Sequence, residues 1–275
     1  MLFSRNKLKP YFSFTNNRQI WRLLFSARGR LIIEERDVDK RLASFNCIEP
    51  ESKRIIFKDY TFDEKFWIGI EAVHNELIYL HHYTKPDMPY HKGIIAFDIE
   101  SQKIIWQNNE LVFEFASGSS VYASIPKFDG KKYFKLNHLT GEIVEEFEDD
   151  SMFNSIKKES EQTVQFDGLI IPYLASKMDE VSQSVFNSII KERSITGSYE
   201  YAVSDNYLLC AYHLEGEDKL LTQHFLIIDI NRKKTIFAEN TGKQLKSFRV
   251  ETFFIKSGIL FLIKNKSELL LFDLT

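Results

Sequence analysis

The chain has 275 residues, 44% hydrophobic and 27% charged, with only 11 Gly and 6 Pro, a globular composition long enough to bury a sizeable core. A net charge of −3 excludes the strong basic excess of a nucleic-acid binder, and no apolar run approaches the roughly 18 residues of a membrane span. Two cysteines, Cys47 and Cys210, stand far apart and outside any CxxC spacing, which points to reduced thiols in a cytoplasmic protein.

Taken from the N-terminus, the chain reads as strands joined by tight turns, as its 24 Phe and 12 Tyr favour. "MLFSRNKLKPYFSF" develops no signal-peptide apolar run. "YFSFTNNRQIWRLLF" (11–25) then supplies two apolar runs, and "SARGRLIIEERD" turns into a third. The same turn-then-strand phrase returns in "VHNELIYL", "ASGSSVYA", "QFDGLIIPY", "VSDNYLLCAY" and "IKSGILFLI". Each places Gly, Asn or Asp just ahead of a β-rich run, the chemistry of a tight hairpin. The marker residues Leu31, Leu77, Val121, Leu169, Leu208 and Leu260 recur about every 46 residues, and the interval closes across the termini.

A second phrase comes later in each repeat: "FNCIEPESKRIIF", "AFDIESQKIIW", "FKLNHLTGEIV" and "LIIDINRKKTIF". Its polar turns fall at Glu49–Ser52, Asp98–Gln102, Asn137–Gly141 and Asp229–Lys233. Two hairpins give four strands, which is a propeller blade. The C-terminal "LLLFDLT" lacks its last strand, and residues 11–15 are placed to supply it. The expectation is an all-β, six-bladed β-propeller of about 46 residues per blade, a single domain over 1–275, with the N-terminal strand closing the last blade. One blade is irregular. Between Leu169 and Gly197, Met178, Val181, Val185 and Ile189 fall at helical spacing, and Ser176 with Asp179 resembles a capping box. This predicts a helix near 177–193.

The blade pattern resembles the quinoprotein-like and WD-like propellers over nearly the whole chain. "IWRLLF", "LIIEERD" and "FWIGIEA" are similar to a family of bacterial propeller-like proteins that carry only an uncharacterised-domain label. The resemblance implies a fold and no activity. Quinone-cofactor propellers repeat a docking Trp with Gly; here Trp106 alone holds such a place, with Phe57 and Phe237 standing in elsewhere, so no cofactor is expected.

In such a fold the loops leaving the second strands gather on one face. Here they are "EERD" (34–37), "HHYTKPDMPYH" (81–91) and "YHLEGED" (212–218). Together with two tryptophans read as equivalent, they give the candidate ligand-binding face: Trp21, Glu35, Arg36, Trp67, His82, Tyr83, His91, Tyr212 and His213. Aromatic rings offer flat platforms, and the Arg36 fork suits an anion. Successive strand residues point to opposite faces, so His81 and His82 diverge. A metal would need His82 or His91 to meet Glu35 or Asp87 across blades, and no metal site is expected. His213 reads as the counterpart of His82. The chain carries no nucleophile elbow, P-loop, HExxH or GxGxxG motif. The function expected is therefore non-enzymatic: a binding or scaffold protein for a protein or small-molecule ligand. The alternative is a channel-site metal-dependent hydrolase or lyase of the lactonase kind, with Glu114, Asn137 and Glu200 as candidate ligands.

Overall fold

The structure is a computed structural model that describes residues 8–85, 88–147, 150–163, 168–190 and 194–275. The chain forms two compact units, one within Gln19–Gln165 and one within Met1–Arg18 and Phe166–Thr275. Both are built of antiparallel meanders.

Strand β1 (Phe12–Thr15) opens the chain. The first sheet runs β2 (Gln19–Phe25), β3 (Leu31–Asp37), β4 (Leu42–Glu49) and β5 (Arg54–Tyr60) in sequence order. The second runs β6 (Ile68–His74), β7 (Leu77–Lys85), β8 (Met88–Asp98) and β9 (Lys103–Asn108). The third is β10 (Val112–Ser117), β11 (Ser120–Lys127), β12 (Gly130–Asn137) and β13 (Ile143–Phe147). Helix α1 (Asp150–Thr163) ends this unit.

The other unit begins with β14 (Leu169–Ile170), β15 (Tyr173–Leu174) and helix α2 (Glu180–Ile190). Its first sheet joins β15 to β16 (Glu200–Ser204), β17 (Tyr207–Glu215), β18 (Leu221–Asp229) and β19 (Lys234–Leu245). Its second is ordered β14, β20 (Phe253–Lys256), β21 (Ile259–Lys264), β22 (Glu268–Asp273) and β1. The N-terminal strand thus completes the C-terminal sheet, with Phe12 opposite Leu271 and Phe14 opposite Leu269. Buried Phe14 anchors it.

The turn phrases carry the backbone geometry that their residues predict. Gly29, Asn75, Gly118, Gly168, Asp205 and Gly258 all have positive φ, the region that Gly, Asn and Asp tolerate best. The ends of the second phrases, "RIIF" and "KIIW", open β5 and β9, the last strands of their sheets. The middle strands are buried on both faces. All six residues Leu31–Arg36 of β3 are buried, which explains why the strand reads Leu-Ile-Ile without alternation and why its charged Glu34 and Arg36 pair with each other. Phe57 meets Phe97 edge-on at 5.7 Å, joining the first sheet to the second. Trp106 donates to the His138 carbonyl at 2.8 Å and lies over Gly141, where a Cβ would stand 2.6 Å from the indole.

Six blades were expected, and the described residues form five sheets. The fourth turn phrase is present at Gly168, but only Leu169 and Ile170 extend from it as strand, and they pair with β20. Pro172 stands just beyond them and cannot donate to a ladder. The two residues of β15, the short 3₁₀ turn Ala175–Lys177 and α2 follow, and both α1 and α2 cover an apolar sheet face. Phe153 of α1 stacks on Tyr133 of the third sheet at 3.9 Å and is packed with Tyr122 and Phe147. Val185, Phe186 and Ile190 of α2 pack on Tyr201, Leu208, Cys210 and Tyr212. The helix expected near 177–193 is therefore α2, though 191–193 lie outside the described residues. Its cap is Asp179 itself, whose carboxylate accepts the Ser182 amide at 2.9 Å. No described helix is long and apolar enough to cross a membrane.

Candidate functional site

The first strands of three sheets share one irregularity. Pairing of β2 with β3 skips a residue between Ile20 and Arg22, that of β6 with β7 skips one between Ile70 and Ala72, and that of β10 with β11 skips one between Phe113 and Phe115. The extra residues are Trp21, Glu71 and Glu114. The structure therefore equates Trp21 with Glu71 and Glu114, not with Trp67, which lies just before β6. A bulge re-aims its side chain, and such positions recur beside functional sites.

In the second sheet the bulge builds a cluster. Pairing of β7 with β8 also slips between Leu80 and His82. Strand alternation alone would not bring Glu71 and His81 together, but these two slips do. His81 Nδ1 lies 3.0 Å from Glu71 Oε1, and the His91 Nδ1 contacts the same oxygen. The two imidazoles stack face to face, 3.5 Å apart and 8° from parallel. His81 is only 2% exposed, and neither of its ring nitrogens makes an aligned hydrogen bond; the Glu71 oxygen is close but off line. Burial works to raise the Glu71 carboxyl, but the His81 and His91 imidazoles outweigh it and hold the pKa below the usual carboxylate value. Burial lowers the His81 pKa, with Glu71 working against it, and the ring stays below the ordinary histidine value.

Gly69, opposite His81 in the ladder, makes room for this arrangement. A Cβ there would stand 3.1 Å from His81 Cε1 and 3.2 Å from Arg36 Nη2. Tyr83 sets its edge against both imidazoles, at 5.0 and 5.3 Å, and against Trp67 at 5.9 Å. Trp67 in turn meets Phe66 at 5.0 Å, and the Arg41 guanidinium lies over both rings, 5.4 Å from Trp67 and 5.8 Å from Phe66.

Arg36 is engaged by protein groups. Its Nε donates to Glu34 Oε1 at 2.9 Å, and Nη2 donates to Glu34 Oε1 and the Ile68 carbonyl at 2.5 Å each. Nη1 donates to the Phe66 carbonyl, and Glu34 Oε2 accepts the Ile70 amide at 3.1 Å. This buried pair ties β3 to β6. Glu35, fully buried, accepts from Asn46 Nδ2 at 3.0 Å. His82 is half-buried opposite Ile68, and Trp21 is 55% exposed. Asp87 lies outside the described residues.

Tyr212 and His213 belong to the other unit. Tyr212 is buried and stacks on His224 at 5.3 Å. Leu77 pairs with Asp98 and Tyr207 with Asp229, so counted from these turns His213 holds the place of Tyr83, not of His82. Its Nε2 accepts the Arg249 amide at 3.2 Å, and Phe248 meets its ring edge-on at 5.3 Å. Burial lowers its pKa, and the Arg249 charge lowers it further. The three lactonase-type candidates are each engaged locally. Glu114 accepts from Ser124 Oγ at 2.7 Å and Lys131 Nζ at 2.6 Å. Asn137 accepts the Leu139 and Thr140 amides of its own turn. Glu200 accepts the Glu251 amide at 3.0 Å, and burial raises its pKa. Both thiols are buried and free; burial pushes Cys47 up to about 12.

Among the described residues, one group of three His, Cys, Asp or Glu side chains converges: Glu71, His81 and His91. Sequence reading named His91 but missed Glu71, because nothing in "WIGIEAVH" marks the bulge that turns it.

A family model described as "Domain of unknown function (DUF4905)" matches residues 26–106, which contain β3 and the Glu71–His81–His91 cluster. No curated sequence matches the chain. Among solved structures, the Dos1 propeller is 10% identical with a TM-score of 0.38, covering 97% of this chain and 96% of that one. A member of the duf4221 family from Bacteroides vulgatus is 10% identical with a TM-score of 0.34, covering 98% of each. KlAtg21, in complex with the coiled-coil of AgAtg16, is 9% identical with a TM-score of 0.31, covering 92% of this chain and 69% of that one. The resemblance read from the sequence, to propellers and to a domain family without an assigned activity, is the one these matches return.

Proposed function

We propose that this chain is a binding protein that takes a protein or small-molecule ligand on the loop-bearing side of its first two sheets. The observation that carries the reading is the partly exposed aromatic group of Phe66, Trp67 and Tyr83, with the Arg41 guanidinium over two of its rings. Such a surface offers stacking area and a cation at little conformational cost, and it stands on rigid strands. Trp21 adds a second ring open to solvent. Arg36, Glu35, Tyr212 and His213 support the framework on this reading, since their polar and aromatic groups already meet protein partners. Two buried free thiols fit a reducing compartment such as the cytoplasm.

The test begins with native protein and the molecule that co-purifies with it. Trp67→Ala and Arg41→Ala are expected to weaken binding of that molecule at least about tenfold while Tm stays within a few degrees. Substitutions on the short-turn side, such as Asn75→Gly, should leave binding unchanged. Loss of binding from the short-turn side alone would place the working surface elsewhere.

A further inference from the structure

The Glu71–His81–His91 cluster carries more than its framework needs. Two imidazole Nδ1 atoms lie against one carboxylate oxygen, and the three atoms are close enough together to ligate a single ion. His81 is almost completely buried, yet neither ring nitrogen has an aligned hydrogen bond, a rare condition for a buried polar side chain. A cation that takes the lone pairs of all three atoms would supply the partner that His81 lacks.

We propose that Glu71, His81 and His91 bind a divalent transition-metal ion of the zinc class, through the Glu71 carboxylate and the Nδ1 atoms of both histidines, with the remaining position open to solvent or to a ligand donor.

The spacing suits such an ion. The three ligand atoms lie within 4.8 Å of one another, and His81 Nδ1 to Glu71 Oε1 is 3.0 Å. Zinc bonds of about 2.0–2.2 Å in a tetrahedron set ligand atoms about 3.3 Å apart, so binding requires the two stacked rings to tilt out of parallel until both Nδ1 lone pairs point at one centre. All three residues stand on adjacent strands β6, β7 and β8, and the slips at Glu71 and His81 are what aim them together. Gly69 leaves the space in which the His81 ring sits. The His91 side chain is 32% exposed, which gives an ion a way in and leaves one side for a fourth ligand. Two imidazoles and one carboxylate favour zinc and its neighbours over Ca²⁺ or Mg²⁺, which require more oxygen ligands. The inference stands apart from the aromatic surface and needs no ligand bound there.

The test uses untagged full-length protein stripped with a chelator and titrated with ZnCl₂ alone by calorimetry. One ion per chain is expected. His91→Ala, at a half-exposed position that folding should tolerate, is expected to weaken binding by at least about 100-fold, as is Glu71→Gln, while His82→Ala leaves it unchanged. Wild-type protein loaded with Co²⁺ should show the intense visible bands of a four- or five-coordinate site. Failure to take up one ion, uptake that survives both His91→Ala and Glu71→Gln, or only the weak bands of six-coordinate Co²⁺ would overturn the assignment. Should one variant fail to fold, the other and the Co²⁺ spectrum decide.

Discussion

Two buried histidines on second strands, His81 in one compact unit and His213 in the other, show how similar burial produces different chemistry. Around His213 one ring nitrogen, Nδ1, also lacks a hydrogen bond, but among the described residues no second ligand group converges on it and the neighbouring polar groups close on one another. Its Nε2 accepts the Arg249 amide, and fully buried Gln223 donates to the Arg249 carbonyl at 3.0 Å and to Thr252 Oγ1 at 3.3 Å while accepting from Thr241 Oγ1 at 2.9 Å. Around His81 a second imidazole and a carboxylate converge instead, and the ring lacks aligned partners. Burial of a histidine is shared by both regions. Convergence of ligand atoms distinguishes one.

The largest expected effect tests whether the His81 region is braced by the ion pair beside it. Arg36→Ala leaves Glu34 buried without its guanidinium and should cost about 3–5 kcal/mol in urea denaturation. Gln223→Ala, which strands only neutral groups in the His213 region, should cost about 1–3 kcal/mol. A reversed order would break the comparison.

A smaller contrast comes from the glycines. Gly69→Ala presses on a ring enclosed by strands and on the anchored Arg36 fork, and about 1–3 kcal/mol is expected. Gly242→Ala meets two side-chain tips, Arg249 Nη1 at 2.8 Å, held by one hydrogen bond to the Thr241 carbonyl, and Leu245 Cδ1 at 3.1 Å, and should cost less than Gly69→Ala, about 1 kcal/mol. Equal losses in thermal unfolding would show that the two regions are equally rigid.

The smallest effect is in pH dependence, and its sign differs between the regions. Both histidines have folded-state pKa values below the ordinary value, so each contributes stability that is fully present above about pH 6.5 and is lost as pH falls through the folded pKa. Glu71 opposes this lowering at His81, whereas Arg249 adds to it at His213. Between pH 7.5 and 5.5, Glu71→Gln should therefore steepen the fall in Tm and Arg249→Gln should flatten it, each by roughly a few degrees at most. Shifts of the same sign would contradict the assigned causes.

Much of the fold was legible because local chemistry sets it. Gly29, Asn75, Gly118, Asp205 and Gly258 mark turns that need positive φ, and the truncated "LLLFDLT" pointed to β1 as its missing neighbour. The count of sheets was not legible, because the turn phrase at Gly168 is intact while Pro172 follows two residues of strand and the chain then forms α2. The candidate site was legible only in part. Aromatic and ionisable side chains flagged Trp67, Tyr83 and His91, but alternation by two predicts that a strand never slips. The bulges at Trp21, Glu71 and Glu114 break that rule, so Glu71 was missed. Trp21 was matched to Trp67 on residue type alone, and His213 to His82 because Leu208 stands one residue deeper in β17 than Leu77 does in β7.

The central claim is that the His81 region is open to a ligand and the His213 region is closed. The most direct measurement is a ¹⁵N–¹H spectrum of the imidazole groups during addition of ZnCl₂. The Nδ1 resonances of His81 and His91 are expected to move together and saturate at one ion per chain, with His213 unmoved. Movement of His213 in their place, or of half-buried His74 and His138 alone, would contradict it.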